Sequence, residues 1–179
     1  MIYFLGAAVL VTAIAAIIDW RTGEIPNWLT LGPLVIAPLA YGVVALVRGG
    51  TGSEAASAVG TAVLGVFVCA LVPLLLYRQN AIGGGDVKLL AALGAILGWR
   101  WGIEAEMYSF FAAGLLAPAR LAYEGKLFRT LKNSFLLAMN PLLPKKKRRP
   151  VEPTLLTWFR FGPAIFLGTA VAAYLHWRS

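Results

Sequence analysis

The chain has 179 residues, 59% of them hydrophobic and only 13% charged, with a mean hydropathy of +0.75, where an ordinary soluble domain carries roughly 25% charge. This composition marks an all-α polytopic membrane protein and excludes a soluble enzyme; the length admits about six short helical spans in one membrane-embedded domain over residues 1–179, and no further soluble domain of normal size. The net charge of +8 is concentrated in one loop beside the membrane, which points to anionic lipid headgroups as a partner and away from nucleic acid.

The first apolar segment runs from about Ile2 to Ile18. No basic residue precedes it, and Asp19-Trp20-Arg21 is not a small-residue cleavage site, so it reads as a retained helix and not as a signal peptide. A second span covers Trp28 to Val47, with Pro26 fixing the turn and Asn27 expected to cap the helix. A connection from Arg48 to Glu54 leads to a third span, Ala55 to Tyr77, which contains the only cysteine, Cys69. One cysteine makes no internal disulfide and no CxxC pair for zinc. The chain is polar and glycine-rich between Arg78 and Asp86. From Val87 to Trp99 a helical pattern extends only about 20 Å, short of the ~30 Å hydrocarbon core. After Arg100, Glu104 and Glu106 a fifth span covers Met107 to Ala122. Residues 123–153 form a mixed loop that includes the basic run Lys145 to Arg149. The last span is expected from Leu155 to Trp177, with His176 at the interface in place of a metal-ligand role.

Basic residues set the orientation. Arg21 lies in the first loop, Arg78 and Lys88 in the third, and Arg120, Lys126, Arg129, Lys132 and the basic run in the fifth; the other side has Arg48, Arg100 and Arg178. The positive-inside rule makes the odd loops cytoplasmic, and six spans then place both termini outside.

Only two aspartates occur, Asp19 and Asp86, each at the edge of an apolar run. Ionisable groups at membrane depth are functional candidates by default, and this topology brings the two to one face. Each also has an ordinary reading. Asp86 can cap the fourth helix. Asp19 stands at the C-terminal end of the first, where the helix dipole disfavours an anion, and could cap a short turn or pair with Arg21. Gly83, Gly84 and Gly85 can be helix punctuation, or a side-chain-free edge that binds an extended substrate backbone. Two carboxyls that meet resist double ionisation and share a proton; the ionised one can then activate a water while the protonated one donates to a scissile carbonyl. Such a pair needs no metal and no organic cofactor. Its two roles belong to the coupled pair, so they stay unassigned.

Gly83-Gly84-Gly85-Asp86 matches a GxGD motif. Ile18-Asp19 with Gly23-Glu24-Ile25-Pro26-Asn27 resembles the first-aspartate region of type IV prepilin peptidases, and Arg160-Phe161-Gly162-Pro163-Ala164-Ile165 resembles their FGPA-like C-terminal segment. The three occur in order across nearly the whole chain, whose size is similar to that of the short members acting on tight-adherence prepilins. The resemblance implies a bacterial inner-membrane aspartic endopeptidase with Asp19 and Asp86 catalytic, cutting the basic leader of prepilins or pseudopilins after a glycine. The cysteine-rich cytoplasmic region of the longer, bifunctional members is lacking, so peptidase activity without N-methylation is expected. Glu24, Asn27, Lys88 and Arg160 are candidates for orienting the leader, with solvation, capping and headgroup contact as their ordinary roles. A presenilin-like protease would need a Tyr-Asp first site and a PAL sequence; Ile18 and the FGPA-like segment stand there instead. A proton-coupled transporter or scaffold using the same aspartates would favour a carboxylate near the bilayer midplane and an internal repeat.

Overall fold

The computed structural model describes residues 2–123, 125, 128 and 160–177. They form α1 (Ile2–Thr22), α2 (Asn27–Val47), α3 (Gly52–Arg78), α4 (Gly84–Tyr123) and α5 (Gly162–His176), with no strand among the described residues. The protein is all-α, and α1, α2 and α3 are long and apolar enough to cross a membrane. The chain divides into two compact units, one made of residues 1–113 and 160–179, the other of residues 114–159. The second unit holds the last turns of α4. The basic loop expected at 123–153 and the start of the last span at Leu155 fall almost wholly outside the described residues.

In the larger unit, α1 packs on α5 and α2 on α3. The helix ends follow local chemistry. α3 starts in a capping box: the Thr51 hydroxyl accepts from the Glu54 N–H at 3.3 Å, and the Thr51 N–H donates to the Glu54 carboxylate at 2.7 Å. Two orphan backbone donors are thereby satisfied, and the helix begins three residues before the expected Ala55. α2 corrects the expectation for Asn27. Pro26 is its N-cap residue and no side chain caps it; Asn27 is already helical, and its Oδ1 accepts instead from Lys88 Nζ at 2.8 Å.

α4 departs furthest from the sequence expectation, which put a polar connection between two spans at Arg100–Glu106. Those residues are helical, and the interruption is a single residue, Gly98, at φ 72° and ψ 173°. The chain folds back there. A Cβ placed on Gly102 would lie 3.0 Å from the Gly94 Cα, whereas residues eight apart on a straight helix are separated by about 12 Å. Glycine alone occupies this left-handed backbone region without steric penalty. The polar residues beyond the hinge are absorbed by neighbours: His176 Nε2 lies 2.5 Å from Glu104 Oε2, and the His176 and Trp101 rings stack with centroids 4.7 Å apart.

The first half of α4 is the centre of the unit. Every residue from Leu89 to Gly98 is buried, so this short helix is apolar all round because protein surrounds it, as expected for a fully buried helix. Its seam with α3 excludes side chains. A Cβ on Gly65 would stand 2.0 Å from the Gly94 carbonyl oxygen, and one on Gly94 would stand 2.1 Å from that of Gly65. Small residues at such crossings let helix backbones touch, the main source of helix association where lipid removes the hydrophobic drive.

Gly94→Ala should therefore cost roughly 1–3 kcal/mol through overpacking, read as a lower unfolding temperature in detergent. Gly60→Ala on α3, with nothing within 4 Å of the new methyl, should leave it unchanged.

Candidate active site

α1 continues past Ile18 to Thr22, which places Asp19 in its last turn. The helix stops at Gly23, with φ 77°, whose N–H donates to the Asp19 carbonyl at 2.8 Å, a left-handed C-cap. The Asp19 side chain turns into the protein and is only 5% exposed. Its Oδ2 accepts a hydrogen bond from the Gly162 N–H at 2.9 Å.

Gly162 is the first residue of α5, followed by Pro163. The first N–H groups of a helix have no intrahelical acceptor, and its amino end carries partial positive charge. α5 thus supplies what α1 withholds, a donor and a favourable dipole for the Asp19 carboxylate. No side chain fits at Gly162, because its Cβ would be 2.8 Å from both Cβ and Oδ2 of Asp19. Arg160 adds a second tie: its guanidinium donates to the Trp20 carbonyl and lies near enough for its charge to act on Asp19.

Asp86 is the third residue of α4 and is 9% exposed. Its Oδ2 accepts from the Gly83 N–H at 3.0 Å, which is half of a capping box. The ordinary capping reading of Asp86 therefore holds, and the cap uses one of its two oxygens. Gly83, Gly84 and Gly85 do not have positive φ; Gly83 and Gly85 stand in close contacts, a Cβ on Gly83 lying 3.1 Å from Asp86 Oδ2. Gly84 faces the Tyr77 ring with room for a Cβ at 3.5 Å, and a Cβ on Gly85 would sit 3.1 Å from the Ile25 Cβ. Gly84 and Gly85 belong to the first turn of α4, so their backbone is helical, and Gly83 precedes it.

Of the candidate residues, Asp19 and Asp86 come within electrostatic reach of each other. Asp19 lies close enough to Asp86 for its charge to act on that carboxyl. The α1–α2 connection is closed onto the first turn of α4 by the Ile25–Gly85 contact and by the Asn27–Lys88 hydrogen bond. Of the other candidates, Glu24 is exposed, while Asn27, Lys88 and Arg160 fasten the segments that hold the aspartates. The reading of individual residues missed the Gly162 backbone N–H as the partner of Asp19. The signal was present in the FGPA-like segment, whose glycine precedes a proline at a helix start.

A family model of the type IV leader peptidase family matches residues 6–118, a stretch that includes both aspartates and ends before Gly162. The chain belongs to that family. No curated protein and no solved structure matches it. This family member is accordingly a peptidase, and its long apolar helices make it a membrane protein.

Because a methyl group at position 162 would displace the Asp19 carboxyl, Gly162→Ala should lower peptidase turnover by about ten- to a hundredfold, the scale of a 1 Å misplacement. Rates measured on purified protein against Gly32→Ala, where the added methyl meets nothing within 4 Å, check this; equal rates would contradict it.

Proposed function

We propose that the chain is an aspartic endopeptidase that removes the basic leader of type IV-like prepilins or pseudopilins at the cytoplasmic face of the bacterial inner membrane. The observation that carries the reading is the meeting of the only two aspartates, from α1 and α4, both buried and within electrostatic reach of each other. The family supports it from an independent direction.

The chemistry follows from the pair. Two adjacent carboxyls hold one proton between them. The ionised carboxyl takes a proton from water as its oxygen attacks the scissile carbonyl carbon, and the protonated carboxyl donates to the carbonyl oxygen. Collapse of the gem-diol breaks the C–N bond, with a proton passing from the dyad to the departing amine. Either aspartate can take either role. Water and the two carboxyls suffice for the reaction.

Six helical passes remain part of this reading, with one each from α1, α2, α3 and α5 and two from α4, whose helix is interrupted at Gly98. Arg21, Arg78 and Lys88 stand close in sequence to the aspartates, which supports a cytoplasmic position for them under the positive-inside rule. A basic leader is retained on that side while its apolar stem lies in the bilayer.

Co-expression with a candidate prepilin tests the assignment. Asp19→Asn and Asp86→Asn keep side-chain shape but cannot cycle a proton, so each should abolish leader removal, measured as the mobility shift of the substrate, while membrane insertion is retained. Cleavage by either variant at the native rate would sink the mechanism.

A further inference from the structure

α5 holds Asp19 with its first residue, so the place of that residue depends on where the whole helix sits. The helix has 15 residues, with its one proline in the first turn, and is about 22 Å long at 1.5 Å per residue. Such a rod moves as one piece, and a slide at one end is a slide at the other. The catalytic end tolerates little of it. The Gly162 N–H stands 2.9 Å from Asp19 Oδ2, and a hydrogen bond is lost by about 3.6 Å.

Along the middle of α5 the contacts set separation more than register. A Cβ on Gly168 would stand 2.2 Å from the Ser109 backbone nitrogen, so α5 and the second half of α4 touch backbone to backbone, as small residues allow. The hydroxyls beside this crossing bond chiefly within their own helices. Ser109 Oγ donates to the Ala105 carbonyl at 2.6 Å and Thr169 Oγ1 to that of Ile165 at 2.8 Å, while Ser109 Oγ stands 3.4 Å from the Ile165 carbonyl. A side-chain-free crossing keeps two helices close and resists sliding weakly.

The far end of α5 has a short, directional contact. His176, its last residue, has Nε2 2.5 Å from Glu104 Oε2, an imidazole donor on a carboxylate acceptor. The Trp101 ring lies against the imidazole with an interplanar angle of 14° and holds its plane. Trp101 and Glu104 both stand just beyond the Gly98 hinge. One element, α4, therefore carries Asp86 before its hinge and grips the helix that holds Asp19 after it.

We infer that Glu104 and His176 are positioning residues for the aspartates: their hydrogen bond, at the opposite end of α5, fixes the axial register of that helix and so keeps the Gly162 N–H on Asp19. The effect is carried by the stiffness of α5. Its kinetic consequence rests on the peptidase reading above; the coupling between the two ends of the helix does not.

Two measurements test it. Amide hydrogen exchange at Gly162, resolved by mass spectrometry on the purified full chain, reports the bond to Asp19 without reference to activity. Its rate should rise about tenfold in His176→Leu, the scale of one lost hydrogen bond, and stay near the native rate in His176→Gln, which keeps a side-chain N–H for Glu104. An unchanged rate in His176→Leu would overturn the proposal. Glu104→Leu breaks the same bond from α4 and should match it, so the test does not depend on one variant folding. With a prepilin peptide as substrate, each leucine variant should lower kcat about tenfold at unchanged KM, within the scale of a small misplacement, and the doubly substituted chain should lose no more than either. In the Gly162→Ala chain, where the Asp19 carboxyl is already displaced, His176→Leu should cost nothing further. Losses that multiply with that of Gly162→Ala, or a raised KM in place of a lowered kcat, would overturn the proposal. A native chain that cleaves no prepilin would instead remove the peptidase reading and leave the exchange result to decide the coupling, so the two failures are distinguishable.

Discussion

The hydrogen bond from the Gly162 N–H to Asp19 Oδ2 is the contact on which the rest of the site depends. A carboxylate in the last turn of α1 faces the unfavourable end of its own helix dipole and is almost fully buried. It becomes tenable because the amino end of α5 is brought against it, with a free N–H and a dipole of the opposite sense. That requirement explains the local sequence. Glycine is needed for contact with Asp19, proline behind it starts a helix without losing a needed donor, and Arg160 fastens the approach through the Trp20 carbonyl.

The second aspartate reaches the first because the first half of α4 is sunk into the centre of the unit. Gly65, Gly94, Gly98 and Gly102 permit this: two sit where helix backbones touch, one reverses the chain, and one lies against its own helix on the return. Asp86 at the top of that short helix is oriented by its cap to Gly83, and the loop after α1 is pressed onto the same turn through Ile25 and Asn27. A side chain borne on a buried, capped helix is held more firmly than one on a loop.

Much of this was legible in the residues. The composition and the long apolar runs establish a membrane helix bundle, and the rarity of aspartate at apolar boundaries singles out Asp19 and Asp86. Two features escaped a one-dimensional reading for physical reasons. The hinge at Gly98 occupies a single residue, so hydropathy records the charged stretch from Arg100 to Glu106 and not the turn; those charges are accommodated within a helix by His176 and by burial against α3. The partner of Asp19 is a backbone N–H, invisible to any search for complementary side chains. Asn27 shows the converse. Its type suits an N-cap, but Lys88, 61 positions away, competes for its carbonyl oxygen and prevails.

The central claim is that Asp19 and Asp86 act as one unit, and a double-mutant cycle tests it most directly. Residues that form a single catalytic device lose nearly everything with the first substitution, so their losses are far from additive. Single-turnover cleavage of a prepilin peptide by purified Asp19→Asn, Asp86→Asn and the doubly substituted protein should give the same residual rate in all three. A double variant whose loss equals the product of the two single losses would contradict the account, for it would mean that the two carboxyls contribute independently.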